Sequence, residues 1–322
     1  MEITPCRSKV IGVVISTFAT RPTRRIYISA PGDGILTEVQ SALKWSLVDA
    51  IVGEGYIPEM FYSERPHPGS LTHGRNWGFS ECSNVLRRCV GAVIIGLPRH
   101  VFSGVDGPVR LPTEYAHIEG TLALELDLPM FLLVESGVSD RGLFFPGGNR
   151  LVTTIPESVG PEWVTTTRFA NAFSAFKARA QARRDVFLGY CSTSVGTAQN
   201  LKRFIEREIG ASVLDWQFDF QEGQTIIEEI EEAARNTTGG IFLFTKDDQL
   251  QGEANIAAPR DNVVFEAGFF AHAKGRGRVL IVRETGAKMP ADLGGNIYAV
   301  LSDKTNISPI EPRLRRFLET AI

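Results

Sequence analysis

The stretch from Asp261 to Glu284, DNVVFEAGFFAHAKGRGRVLIVRE, constrains the fold more than any other in this chain. It sets an apolar helix directly ahead of a core strand, with only a short basic turn between them. Asp261 or Asn262 is placed to cap the helix N-terminus. Val263, Ala267 and Phe270 then recur at i, i+4 and i+7, which turns one stripe toward a core. Glu266 sits beside that stripe, between Phe265 and Ala267, and its position reads as the first turn. A carboxylate there is costly to bury without a partner, and the positive end of the helix dipole is available to keep it ionised. Two readings stand side by side. One is a capping or salt-bridged structural glutamate; the other is a functional carboxylate.

The same helix-then-strand grammar runs through most of the 322 residues. RRIYISAP reads as a strand, residues 36–52 as a helix, and YIPEMFY as the next strand. A helix near 79–89 leads to the strand GAVIIGLP, and a helix over 112–127 leads to LPMFLLVE. Residues 137–168, rich in Gly, Pro and Thr, read as irregular. The basic helix ANAFSAFKARAQARR links to a second series. That series comprises DVFLGYC, a helix over 195–209, a strand near SVLDWQF and a helix TIIEEIEEAAR. Thr225 and Glu228 are spaced as a capping box for the last of these. Its buried face is expected at Ile226, Ile227, Ile230 and Ala234, and its four glutamates read chiefly as a solvated face. Alternation of this kind predicts mostly parallel sheets covered on both faces. The expected fold class is α/β, with two tandem flavodoxin-like units over residues 1–178 and 184–322. The units also parallel each other. IEGTLALELDLPMFLLVE matches FEAGFFAHAKGRGRVLIVRE, which sets Glu119 against Glu266, and GAVIIGLP matches GGIFLFTK.

Composition narrows the function classes. A net charge of −3 gives no general attraction to nucleic acid or acidic membrane, so no direct nucleic-acid binding is expected. No apolar run approaches the roughly 18 residues of a membrane span, and MEITPCRSKVIGVVISTF reads as a strand and not a cleaved signal, which points to the cytoplasm. Cys6, Cys82, Cys89 and Cys191 lack CxxC spacing, so neither a zinc site nor a disulfide framework is indicated, and no metal is expected. No Walker motif, GxGxxG fingerprint or HExxH occurs, and no nucleophile elbow supports a serine hydrolase.

The ordered blocks RDVFLGYCSTS, QEGQTIIEEIEEAA, GGIFLFTKDD, PRDNVVFEAGFFAHAKGRGRVLIVRE and MPADLGGNIYAVL resemble the bacterial TIR-like family of nucleotide-binding proteins. TIR domains fused to STING in cyclic-oligonucleotide anti-phage systems are close relatives. The resemblance spans residues 184–303 and leaves the first half outside it. It implies cleavage of the nicotinamide–ribose bond of NAD, with NAD+ as substrate and no further cofactor. It also implies Glu266 as the catalytic carboxylate and a homo-oligomer as the active form. The alternatives are a non-catalytic nucleotide-binding or scaffold protein, and a transferase or cyclase.

Open α/β sheets collect ligands beyond the C-terminal ends of their strands. In the second unit those ends carry Ser192 and Ser194, each suited to phosphate or ribose or simply to loop polarity. Phe220 is suited to stack on a ring, as are Trp216 and Phe218 unless they are strand core. Asp247 suits ribose or turn chemistry, and Arg260 suits pyrophosphate or pairing with Asp261. In the first unit, which resembles nucleoside-deoxyribosyltransferase and TIR-like folds only in generic features, the loop from Ser63 to Trp77 carries Arg65, Arg75 and Trp77. Together with Glu119 these suggest a site that senses a nucleotide second messenger.

Overall fold

The computed structural model describes residues 24–105, 107–146, 152–220, 225–249, 257–295 and 297–322. The strand expected in the first 18 residues, Cys6 and part of the loop after Phe220 lie outside them. Two units follow one another. The first runs β1 (Arg25–Ser29), α1 (Glu38–Gly53), β2 (Ile57–Glu59), α2 (Phe79–Leu86), β3 (Gly91–Gly96), β4 (His100–Gly104), β5 (Gly107–Leu111), α3 (Glu114–Glu125), β6 (Met130–Glu135), β7 (Val152–Ile155) and α4 (Thr167–Ala182). The second runs β8 (Arg184–Gly189), α5 (Val195–Phe204), β9 (Val213–Asp215), α6 (Trp216–Asp219), α7 (Ile226–Asn236), β10 (Thr237–Phe244), β11 (Asp248–Gln249), β12 (Ala257–Ala258), α8 (Asp261–Lys274), β13 (Val279–Glu284), β14 (Ile297–Leu301) and α9 (Glu311–Thr320).

Each unit builds one five-stranded parallel sheet. The orders are β2-β1-β3-β6-β7 and β9-β8-β10-β13-β14, so both units share the flavodoxin-like order 2-1-3-4-5. The strands are apolar on both faces because helices cover both. In the first unit α1 and α4 pack on one face, where Phe131 stacks with Phe173 and Phe176. Cys82, Leu86, Ala116 and Ala123 of α2 and α3 pack on the other. In the second, α5 and α9 cover one face and α7 and α8 the other, with Phe187, Phe242 and Phe270 in mutual contact. A short antiparallel hairpin precedes the key helix in each unit: β4–β5 before α3 and β11–β12 before α8.

Arginines stitch the units together. Arg24 pairs with Asp185 at 3.2 Å, both buried, and donates to the end carbonyls of α4 at Ala180 and Gln181. Arg183 donates to the Asp127 carbonyl. Arg87, just after α2, donates to the Ala273 carbonyl near the end of α8, while Arg278 returns a bond of 2.9 Å to the Asn84 carbonyl.

Four expectations need correction. Residues 137–168 supply the fifth strand, β7, and two 3-10 turns. A strand of four residues flanked by loops leaves too short a pattern to read. Trp216 and Phe218 are not strand core. Asp215 ends β9 and caps Gln217, so the chain turns into α6. Phe218 is exposed. The capping box at Thr225 is present, but Ile226 and Ile227 are exposed, and α7 buries Glu229, Ile230, Ala233 and Ala234. Finally, α8 begins at Asp261 behind Arg260, with no side-chain cap. Glu266 is therefore its sixth residue, past the first turn.

Candidate active site

The C-terminal ends of β8 and β9, the start of α7 and the start of α8 enclose a cavity of about 590 Å³. Tyr190, Cys191 and Ser192 follow β8; Trp216, Gln217 and Phe220 follow β9; Arg260, Asn262 and Glu266 come from the start of α8. This is the switch point of the sheet, where the order of strand addition reverses.

Glu266 dominates the electrostatics. The residue is 8% exposed, and its Oε2 is buried with no hydrogen-bond partner. Burial pushes its pKa up to about 8. The helix N-terminus does not offset this, because the sixth residue of a helix lies beyond the free N–H groups of the first turn. Part of the cause is Gly189. A Cβ there would stand 2.7 Å from Glu266 Oε2 and 2.5 Å from Phe242, so only glycine lets the strand pass this close to the carboxylate. Glycine also brings no side-chain donor.

Around this group the pocket supplies rings and donors. Phe220 stacks on Phe187 at 6.0 Å between centroids. Trp216 donates its indole N–H to the Tyr190 carbonyl and tilts against the Tyr190 ring, and the Tyr190 hydroxyl donates to Asp215 at 2.7 Å. Arg260 pairs with Asp248 at 3.2 Å. Burial pushes the Cys191 thiol up, but Thr193 and Arg260 outweigh it and the net shift is downward. Glu229, read from sequence as part of a solvated face, is buried and lines the same cavity.

The expected site residues separate into two groups. Ser192, Phe220, Arg260 and Glu266 line the cavity. Ser194 and Asp247 do not. Ser194 is buried in a hydroxyl pair with Thr245 at 2.8 Å. Asp247 accepts from Thr193, Thr245 and the Arg260 backbone, which fixes the loops that carry Cys191 and Arg260. Tyr190, Cys191, Gln217, Asn262 and Ile226 also line the cavity and were not expected as site residues. Their one available signal was position just past a predicted strand or at a helix start. In the first unit, Arg65 lies over the Trp45 ring at 4.6 Å and Arg75 pairs with Glu81. These two cations do not converge on a pocket, whereas Trp77 and Glu119 do. Among the described residues no cluster of His, Cys, Asp and Glu is arranged to hold a metal, and no helix is long and apolar enough to cross a membrane.

Comparison with known proteins bears on the second unit. Residues 185–303 match the family model described as CAP12/Pycsar effector protein, TIR domain. YuaY, an uncharacterized protein of Escherichia coli K12, is 35% identical over 108 residues, which cover 33% of this chain and 36% of that one. CD-NTase-associated protein 12 of a Lachnospiraceae bacterium is 30% identical over 112 residues, covering 34% and 35%. Its namesake in Niabella drilacis is 27% identical over 129 residues, covering 38% and 41%. The chain thus spans about a third of the length of the first relatives it matches. The first unit lies outside the family match, and the second, over residues 185–303, is similar to bacterial TIR domains.

Proposed function

We propose that the second unit is an NAD+ glycohydrolase, the effector half of a bacterial anti-phage protein controlled by its first unit. The observation that carries this reading is Glu266: a buried carboxylate with an unpartnered oxygen, facing a cavity walled by aromatic rings. Such a group is unstable as an anion until a ligand supplies donors and positive charge. The ribose of NAD+ offers a vicinal diol, and its pyridinium ring offers the charge.

The bond that breaks joins ribose C1′ to the nicotinamide nitrogen. Its electron pair leaves with the ring, which becomes neutral, so no general acid is required. The ribose is left as an oxocarbenium ion, whose charge the ionised Glu266 stabilises, as carboxylates do in glycoside hydrolysis. Water then adds to C1′ and gives up one proton. Trp216 or Phe220 holds the departing ring, and Arg260 suits the pyrophosphate as a planar fork. The homo-oligomer implied by the family belongs to this reading, as the form in which turnover is expected.

Incubating the purified full chain with NAD+ and measuring nicotinamide tests it, with and without cyclic oligonucleotides. Release that disappears in Glu266→Gln supports the glycohydrolase. No release from any assembled form leaves a binding module. Free ADP-ribose as the product, rather than a cyclic or transferred form, separates hydrolysis from cyclase and transferase chemistry.

A further inference from the structure

We propose that the first unit holds a second ligand site on the same plan, binding a nucleoside or nucleoside monophosphate through Glu119 without cleaving it. The shared plan rests on the reading of Glu266 as a ribose-binding carboxylate; the pocket itself does not. Glu119 is the sixth residue of α3, as Glu266 is the sixth of α8. Both helices follow a hairpin and lead into the fourth strand of a 2-1-3-4-5 sheet. Strand register completes the match. Ile26 pairs with Gly91 and Val186 with Gly239, so Tyr27 stands where Phe187 does and Ser29 where Gly189 does.

A cavity of about 240 Å³ opens at this place, between the ends of β1 and β2 and the start of α3. It is less than half the volume of its counterpart, which suits a mononucleoside better than a cyclic di- or trinucleotide. Glu119, 6% exposed, forms part of its wall. Tyr62, Trp77 and Tyr115 border it, and Tyr62 and Tyr115 are exposed rings with no place in the core. Trp77 packs edge-on to Tyr115 at 4.8 Å, and its backbone N–H donates to the Tyr62 hydroxyl at 3.0 Å. The Trp77 Nε1 is buried without a hydrogen bond of ordinary geometry. Tyr62 is held at φ 53, a conformation that costs a non-glycine residue about 1 kcal/mol or more and persists where the surroundings require it. Lys44 is already paired with Asp33 and Glu64. Arg99 is then the cation that lines the pocket without an ion pair among the described residues, in a position to take a phosphate. A carboxylate for hydroxyls, rings for a base and a guanidinium at an exposed position are together what a nucleotide needs.

The ligand is held rather than cut because Glu119 already has company. Burial raises its pKa, and Ser29, Tyr27 and Trp77 beside it offset part of that rise without reversing it. Its charge is partly spent before a ligand arrives, whereas that of Glu266 is not.

The test uses the full chain carrying Glu266→Gln, titrated with AMP, adenosine and ribose 5-phosphate while tryptophan fluorescence is followed. AMP is expected to change the signal saturably, and Trp77→Phe to remove that change. Glu119→Gln is expected to weaken binding by at least about tenfold, the worth of one charge-assisted hydrogen bond. Trp216→Phe leaves the titration as it was. Tyr115→Ala, an exposed change that the fold tolerates, weakens AMP and adenosine alike but spares ribose 5-phosphate. The proposal is overturned if neither AMP nor adenosine saturates at millimolar concentration, if Trp77→Phe and Tyr115→Ala bind as the parent does, or if Trp216→Phe abolishes the signal. Nicotinamide release does not enter this test, so its result and that of the glycohydrolase assay are read separately.

Discussion

Glu119 and Glu266 occupy the same point in two units of one topology, and among the differences around them are two side chains on the first strand of each sheet. Where the first unit has Tyr27 and Ser29, the second has Phe187 and Gly189. Removing two hydroxyls leaves a buried carboxyl with no donor to face, and its pKa climbs to about 8. Burial raises both carboxyls, and the contrast shows how side chains on a neighbouring strand temper that rise in one unit and not in the other. A fold can be copied whole and its chemistry still be decided by what the neighbouring strand does not contribute.

The sharpest way to break this contrast is Glu266→Gln. Nicotinamide release should fall by about 10²–10³-fold or more, the scale of losing one electrostatic stabiliser of the transition state, with the folded state intact by circular dichroism. Normal turnover in that variant would remove this carboxylate from the mechanism.

The next effect is on pH. On the glycohydrolase reading the active form is the anion, and burial raises the pKa of the free group to about 8, so kcat/KM should rise about tenfold per unit below that value and level off above it. A rate profile already flat from pH 6 to 9 would show that Glu266 is ionised without its ligand.

Gly189→Ser copies the first unit into the second. The strand has no room for it, since the new Cβ would press on Phe242 and Glu266 Oε2. A loss of about 1–3 kcal/mol in stability by denaturant titration is expected, with turnover reduced at least about tenfold. If this variant is stable and fully active, the glycine is not what isolates the carboxylate.

The smallest effect is on the fold itself. The folded pKa of Glu266 lies above its unfolded value, so the native protein loses stability as pH rises from about 4.5 to 8. Glu266→Gln has no such titration. Its thermal midpoint should gain on the parent by a few degrees across that window, less whatever its own buried amide costs. Parallel curves at all pH values would contradict the raised pKa.

Much of this was legible in the chain. Element order followed from alternation, and the capping box at Thr225 and the pairing of Glu119 with Glu266 were visible in the letters alone. What failed has particular causes. Ile226 and Ile227 look like core, but the first turn of α7 projects out to the pocket, and periodicity does not report where a helix outruns its sheet. Trp216 and Phe218 lost their strand because Asp215 caps a turn. Tyr190, Cys191, Gln217 and Asn262 reach the site because sheet topology brings distant loop ends together, and no local spacing encodes that meeting. Arg65 and Arg75 had the right charge for a ligand, yet Trp45 and Glu81 had prior claims on them.

The bond from Arg87 to the Ala273 carbonyl has a mechanical meaning. Ala273 lies seven residues beyond Glu266 on one unbroken helix, a distance of about 10 Å along its axis. An α-helix barely stretches, so α8 is a stiff link between the Glu266 carboxylate and the bond to the first unit near its other end. A displacement of α2 would therefore have a path to Glu266 along this helix that does not cross the sheet.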